Sequence, residues 1–570
     1  VDPPRTPEEG YHLTEDLVDR TLEFINDSMS IRPDRPFFTY LALGATHAPH
    51  QAPAEYLERH RGRYDDGWDD VRDRWFARQK ELGLLPPDTD LAPLNPGVEP
   101  WDDMPEAQRR LAARLQEAFA AFLEHTDDQI GRLVAGLEDM ELLDDTIIVL
   151  LSDNGASREG GPFGVLHEMK FFNFLFETPE EALAHLDEIG GPNSHSNYPW
   201  GWAQAGNTPF KWYKSNTHEG GVHVPCIVHW PAGIDDRGGI RHQFHYVTDI
   251  APTIYELVGV EAPETHRGVA QLPIAGTSMA YTFDADPTGA TRHGSQYFEM
   301  MGHRGMYADG WKAVTHHQEG TAFDDDTWEL YDLTSDPSEC HDLAADHPDR
   351  LTELVDRWWA EAEAHGVLPL DDRMMELFGT RFADHSAHRP DRRYRYRPPM
   401  SPMPSATSPA VGGRSWDLDA VLRRGPGDDG VLWALGNGNA GLSVFVQDGR
   451  LVFDYNAFGD HTVVESAVAV PEGESRVGIR FRRTGDGATA TVVVDGEEVG
   501  SGEVPFVMRV ISSVGSSVGL DHGNPVSTRY AAPFTFEGVL QSLEISLVSA
   551  DRAQEGEVAS AEGRAEMGRQ

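Results

Sequence analysis

Three stretches of this chain set residue types that can do chemistry at the ends of segments that read as strands, two just after a strand and one leading into the next. Asp153 and Asn154 follow the apolar run in TIIVLLSDNG (146–155), which puts them at a carboxyl end of the sheet, where open α/β sheets bind ligands. A carboxylate beside an amide oxygen suits a hard cation such as Ca²⁺ or Mg²⁺. The competing reading is an Asx turn capping the strand, and the dipeptide alone favours it. His47 and His50 lie in ATHAPHQAP, just past the 37–44 run of PFFTYLALG. A histidine there could protonate a leaving oxygen, although a loop histidine taken singly is more often solvated or structural. Lys214, in NTPFKWYKSNTHEGGVHVP, offers a point charge to an anion; its plain alternative is an exposed surface lysine. The lysines are Lys80, Lys170, Lys211, Lys214 and Lys312, so two of them in one aromatic-rich loop shift the balance toward function.

The elements that must position these groups alternate. After Thr14, a candidate N-cap, Leu17, Val18, Leu22 and Ile25 recur at helical spacing, and the helix ends before Pro33. The 37–44 and 146–151 runs read as buried parallel strands. A long helix lies between them, with Leu111, Leu115, Phe119 and Phe122 as its core face and Ile130, Leu133 and Leu137 continuing it. A strand in 222–233 and a helix in 248–260 complete an α/β catalytic domain over 1–290. Short strands in 296–317 and WELYDL, then a helix from Pro348 to His365, suggest an antiparallel α+β subdomain over 291–387. Residues 388–414 read as a Pro- and Arg-rich linker. Over 415–549 the period becomes two, with hairpin turns at Asp448-Gly449 and Asp495-Gly496, which predicts an all-β, jelly-roll-like sandwich. Residues 550–570 read as a disordered tail.

At 570 residues, several domains are expected. The 94 acidic residues against 47 basic ones give a formal charge of -47, which disfavours nucleic acid as a partner and favours cations. No apolar run reaches membrane-spanning length. Two cysteines, Cys226 and Cys340, permit one bridge at most.

Seven stretches carry a family resemblance. PFFTYLALGATHAPHQAP, HTDDQIGRLV, IIVLLSDNGAS, YPWGWAQAGNTPFKWYK, THEGGVHVP, TDIAPTIYELVGV and WELYDLTSDPSECHDLA resemble, in this order, signature stretches of bacterial arylsulfatases. The resemblance runs from near residue 10 to about 372. The sandwich resembles an extra domain that some of these enzymes carry, with VGLDHGNPVSTRYAAPFTFEG (518–538) as its telling segment. The resemblance implies an alkaline-phosphatase-like mixed sheet sandwiched by helices. It also implies hydrolysis of a small-molecule or glycan sulfate ester at a divalent cation, usually Ca²⁺, with Mg²⁺ the alternative. The nucleophile it implies is a formylglycine, which a formylglycine-generating enzyme makes from the Cys or Ser of a C-x-P-x-R-like motif. By position, Asp153 and Asn154 match metal ligands. His47, four residues before Gln51, matches the proton donor to the leaving alcohol, and Lys214, five before Glu219, matches the sulfate contact. His50 has no counterpart.

The departures are as informative. Cys226 is followed by Ile-Val-His-Trp and Cys340 by His-Asp-Leu-Ala, so neither is a formylglycine precursor and both read as structural. SMSIR (28–32) echoes the serine form only loosely, at a helix end, and reads as chance. The nucleophile-bearing segment is therefore expected to be absent, leaving a fragment inactive alone. A phosphate or phosphonate ester hydrolase, and a non-catalytic sulfated-glycan-binding protein, stay open as rivals. The site reading expects His47, Asp153, Asn154 and Lys214 to meet at one cleft, with an apolar sheet face exposed beside Asp153.

Overall fold

The structure, a computed structural model, describes residues 4–5, 9–283, 289–373, 392–548 and 552–567. The helix Leu13–Ile31 buries Val18, Thr21 and Ile25 along one stripe and stops short of Pro33. Its cap is His12, whose ring nitrogen accepts the Thr14 N–H, rather than Thr14 itself. This helix packs on Glu106–Asp139, a helix of 34 residues that passes unbroken through Asp127. One side of the long helix buries Leu111, Leu115 and Phe122 in a core built around Trp68, Trp101 and Trp202. Those three indole rings meet edge to face at 4.9, 5.8 and 5.9 Å, the arrangement that aromatic quadrupoles favour. The other side, with Phe119, Leu123, Ile130 and Leu133, lines a cavity of about 4950 Å³.

Two strand expectations are corrected. Ile148–Leu151 is a strand, but it pairs with Cys226–His229 antiparallel, Ile148 opposite His229 and Leu151 opposite Cys226. An apolar run reports apolar surroundings on both faces and says nothing of its neighbour's direction. The 37–44 run carries no ladder, and Phe38 and Tyr40 are 79% and 85% exposed. Its composition suits a strand, yet strand structure needs a neighbour for its N–H and C=O groups, and none of the described strands pairs with it. The sheet of this mixed α/β region is thus short and two-stranded. The helix Ile250–Val258 has Pro252 in its first turn, as expected, and ends at Gly259 in the left-handed conformation.

The next region matches its reading closely. Ser295–Met300, His303–Ala308, Trp311–Thr315 and Trp328–Asp332 form a four-stranded antiparallel sheet in chain order. The helix Pro348–Ala364 covers it with Leu354, Trp358 and Ala362. Further on, a six-stranded and a five-stranded antiparallel sheet enclose Trp416, Trp433, Phe453 and Phe481. Both hairpin turns form where expected. Asp448-Gly449 and Asp495-Gly496 have φ of 52° and 71°, and of 47° and 88°, positive at both central residues as a type I′ turn requires.

Two boundaries shift. Arg393–Tyr396, inside the expected linker, is a strand paired with Val539–Val548. Arg552–Met567, inside the expected disordered tail, is a helix. Its polarity hides one small apolar stripe, Val558, Ala561 and Ala565, all buried, and Glu555 bonds Arg414 at 2.8 Å. Residues 388–391, 550–551 and 568–570 of those two expectations lie outside the described residues.

A buried ionic triad joins the α/β region to the four-stranded sheet. The Lys312 ammonium, wholly buried, sits 2.6 Å from Glu219 and 3.1 Å from Glu339. Burial opposes ionisation of Glu219, but Lys312 and then His223 outweigh it and hold the carboxyl well below its usual range. Replacing Lys312 with Met strands two buried carboxylates, so unfolding is expected to become easier by about 3–5 kcal/mol; a loss under about 1 kcal/mol in denaturant titration contradicts this role. His50 supplies a second test. Packed between Phe119 and Tyr198 at 5.2 and 4.9 Å, it is held down to about 3 by burial and then by His47. Below pH 6.5 the unfolded imidazole takes a proton that the folded one refuses, so stability falls with pH between 6.5 and 3. That loss is about 2 kcal/mol between pH 6.5 and 5 for this one group. His50→Leu should flatten the measured dependence over that interval, and an unchanged slope rejects the assignment.

Candidate active site

The SDNGA and HEGG turns interlock through glycine. The Gly155 N–H donates to the Gly221 carbonyl at 3.1 Å, and the Ser152 N–H to Pro225 at 3.4 Å. A Cβ on Gly155 would lie 1.8 Å from the Gly220 carbonyl oxygen, so no other residue permits this approach. The same seam continues outward. The Lys214 N–H donates to the Ala156 carbonyl at 3.1 Å, and the Ala156 N–H donates to Asn207 Oδ1 at 2.8 Å. These backbone bonds set the 152–159 loop beside the 207–221 loop.

Asp153 and Asn154 emerge from this seam. The Gly155 N–H that an Asx turn on Asp153 would use is spent on Gly221. The Asp153 carboxylate is exposed and has no hydrogen bond or ion pair among the described residues. The Asn154 amide donates to the Gly155 carbonyl at 2.9 Å, which leaves its oxygen for another partner. Lys214 is no surface lysine: it is 5% exposed, and its ammonium lies 3.2 Å from Glu159. The second Glu159 oxygen is buried without a hydrogen-bond partner. His47 holds its Nδ1 at 2.8 Å from the Ala48 carbonyl, so that nitrogen carries a proton, while Nε2 is buried without a partner. His47, Asp153, Asn154 and Lys214 are four of the more than one hundred residues that border the open 4950 Å³ space. Leu150, Leu151 and Ile227 beside it expose apolar side chains, 38%, 37% and 58%. His50 is in the core instead.

As a cation site the pair matches in kind and falls short in number. Both donors are oxygens, but a Ca²⁺ ion takes six to eight and a Mg²⁺ ion six, and no group of three or more His, Cys, Asp or Glu among the described residues is arranged to hold a metal. The cysteines are free, Cys226 exposed and Cys340 partly so. Ser28 to Ile31 fall inside the first helix.

Several site groups escaped the sequence reading. Glu159, which balances Lys214, is one acid among many by type. Lys211 proves to be a tie, with its ammonium 3.1 Å from Glu329 and 2.7 Å from the Tyr331 hydroxyl. His218 joins it, at 3.2 Å from the same Glu329. The Glu219–Lys312–Glu339 triad spans more than a hundred positions, and only the scarcity of lysine pointed to it.

Comparison with known proteins shows what this chain is similar to. The sulfatase family profile matches residues 1–260, and the profile described as N-sulphoglucosamine sulphohydrolase, C-terminal, matches residues 209–362. An uncharacterized sulfatase of Schizosaccharomyces pombe is 34% identical over 349 residues, 60% of this chain and 61% of that protein. An arylsulfatase of Klebsiella aerogenes is 30% identical over 252 residues, 43% of this chain and 51% of that one. The steryl-sulfatase of Mus musculus is 26% identical over 272 residues, 44% of this chain and 37% of its own. This chain thus spans about three-fifths of the first of these relatives, half of the second and less of the third. Over residues 1–260 the chain is thus similar to the sulfatase family.

Proposed function

We propose that this chain forms part of a sulfuric ester hydrolase, supplying the sulfate contact, the leaving-group acid and two oxygen ligands of a divalent cation. The observation that carries the reading is the buried Lys214, whose backbone N–H bonds Ala156 two residues beyond Asn154, so that its loop lies beside the unpaired Asp153 carboxylate and the Asn154 amide. Lys214 sets positive charge against the sulfate oxygens where water is largely excluded, which strengthens the attraction. Glu159 holds the ammonium in place until the anion arrives. His47, when protonated, keeps one proton on Nδ1 against the Ala48 carbonyl and presents the other on Nε2 to the leaving oxygen. Asp153 and Asn154 would hold part of a Ca²⁺ or Mg²⁺ shell, the rest coming from outside the described residues. Formylglycine, where present, supplies the oxygen nucleophile. Neither cysteine here sits in a C-x-P-x-R-like context, so the reading takes that group, and the enzyme that makes it, from beyond these 570 residues. A glycan sulfate is the substrate class we favour, and aryl sulfate serves as the assay probe.

Two measurements test this. Purified residues 1–570 should show no turnover of an aryl sulfate, and activity that survives removal of contaminants overturns the assignment of the nucleophile. In a chain completed with a formylglycine-bearing segment, Lys214→Ala should lower kcat/KM for aryl sulfate by about 10² to 10³, the effect of losing one charge-stabilising donor. A change within about twofold, roughly 0.4 kcal/mol of barrier, removes Lys214 from the site. A parallel assay on aryl phosphate, if it outpaces aryl sulfate, replaces the sulfur reading with a phosphorus one.

A further inference from the structure

Two hairpin turns of the sandwich carry Asp-Gly, but the turn after the strand Arg450–Ala457 carries Phe458-Gly459, with φ of 60° and 93°. Both angles are positive, as a type I′ turn requires, and the residues that tolerate this conformation are glycine, asparagine and aspartate. A phenylalanine there strains the backbone, so its ring has another duty. That ring leaves the sandwich: it meets His167 edge to face at 5.3 Å and packs against the cluster of Met169, Phe172, Val510 and Ala565. Burial, then His195 and Lys170, hold His167 down to about 3, so near pH 7 its imidazole is neutral and offers Phe458 an uncharged surface.

From His167 a continuous set of contacts leads to the loop of His47. The short helix Glu168–Phe172 begins at His167, and the Glu168 N–H donates to the His195 carbonyl at 2.9 Å. The His167 ring stacks on that of His195 at 5.6 Å and 22°, and the Asn197 amide donates to Glu168 Oε1 at 3.0 Å. The far end of the helix is tied to the sandwich by Asn173, whose Oδ1 accepts the Arg509 and Val510 N–H groups. The same 190–197 strip holds the His47 loop on its other side. The His50 N–H donates to the Ser196 carbonyl at 3.1 Å, the Ala52 N–H to Gly190 at 3.0 Å, and the Gln51 side-chain amide to Ser194 at 2.7 Å. Ser194, Ser196 and Asn197 are buried, and a closely packed interior passes a shift at one side of such a strip to the other.

We propose that the carboxyl-terminal sandwich is a buttress for the candidate leaving-group acid, with Phe458 a positioning residue that acts through His167 and the 190–197 strip on the loop carrying His47. This rests on the reading of His47 as that acid and gives the sandwich a part in the same reaction. Phe458 acts only on where the His47 ring stands, and a misplacement of about 1 Å is enough to cost a catalytic group about a hundredfold in rate.

Hydrogen–deuterium exchange of the 570-residue chain tests it. Phe458→Ala should speed exchange of the His50 and Ala52 amides at least tenfold, while the strands His303–Ala308 and Trp311–Thr315 stay within twofold of the parent. Phe458→Tyr, which keeps the ring, should restore the parent rates. Ala565→Glu, which disturbs the same cluster from the helix Arg552–Met567, should speed the same two amides. In magnetic resonance spectra of the chain labelled at histidine Cε1, the His47 signal, assigned by its loss in His47→Gln, should move in Phe458→Ala and return in Phe458→Tyr. Near-UV circular dichroism confirms that each variant is folded. Rates within twofold of the parent in Phe458→Ala and Ala565→Glu, a stationary His47 signal, or faster exchange spread over the four-stranded sheet as well, overturns the buttress and leaves the acid reading standing. Full activity of His47→Gln in a chain completed with a formylglycine-bearing segment overturns the acid reading and, with it, the catalytic sense of the buttress.

Discussion

One buried lysine holds the two halves of the sulfatase-like region in register. Lys312 rises from the four-stranded sheet, fully buried, and meets Glu219, the residue that opens the turn behind Lys214. Glu339 closes the group by accepting the Glu219 backbone N–H at 2.9 Å. Charges taken out of water are tolerable only when paired and hydrogen-bonded, so sheet, turn and 336–342 loop have one mutual placement. The glycine seam then passes that placement on. Gly220 and Gly221 follow Glu219, Gly155 packs directly on them, and Asp153 and Asn154 stand at the end of the chain of contacts.

Beyond this clamp the region is unevenly finished. The tryptophan cluster on one side of the long helix is closely packed, while the other side of that helix and both short strands border the large cavity. Apolar side chains such as Leu150 and Ile227 stand open there, which is costly in water. The candidate site lies on the rim between the finished and the open parts. Its charges are correspondingly mixed: Lys214 is balanced from within, whereas Asp153 has no ion pair among the described residues.

The carboxyl-terminal sandwich is attached through a small number of specific bonds. Asn173, 1% exposed, donates to the Met169 and Val510 carbonyls at 2.7 and 2.8 Å and accepts the Arg509 and Val510 N–H groups at 2.6 and 3.1 Å. Its amide thus replaces a backbone partner for both sides of the interface. The helix 552–567 seals the join, with Arg564 4.2 Å over the Phe174 ring. Within the sandwich, the segment 518–538 lies against the five-stranded sheet. Ser527 bonds the buried Asp454 at 2.5 Å and Tyr530 bonds the buried Asp521 at 2.6 Å, which gives its polar residues a structural duty.

What could be read from the chain and what could not divide along a physical line. Local rules carried the helices Leu13–Ile31, Glu106–Asp139, Ile250–Val258 and Pro348–Ala364, the antiparallel character of the small sheet and both Asp-Gly hairpins, because turn chemistry and side-chain period act over a few residues. The SDNGA and HEGG turns could be singled out by residue type and by position, the first after an apolar run and the second leading into one. Local rules failed where a partner elsewhere decides the state. The 37–44 run has strand composition without a strand neighbour, Arg393–Tyr396 becomes a strand because Val539–Val548 offers it an edge, and 552–567 folds because Ala561 and Ala565 find an apolar surface. The sequence by itself determined which residues could bind an anion or a hard cation, since charge and donor type belong to the side chain. Only the tertiary structure decided that Glu159 balances Lys214 while Asp153 has no ion pair among the described residues, because the pairing of charges depends on distances that no spacing along the chain encodes.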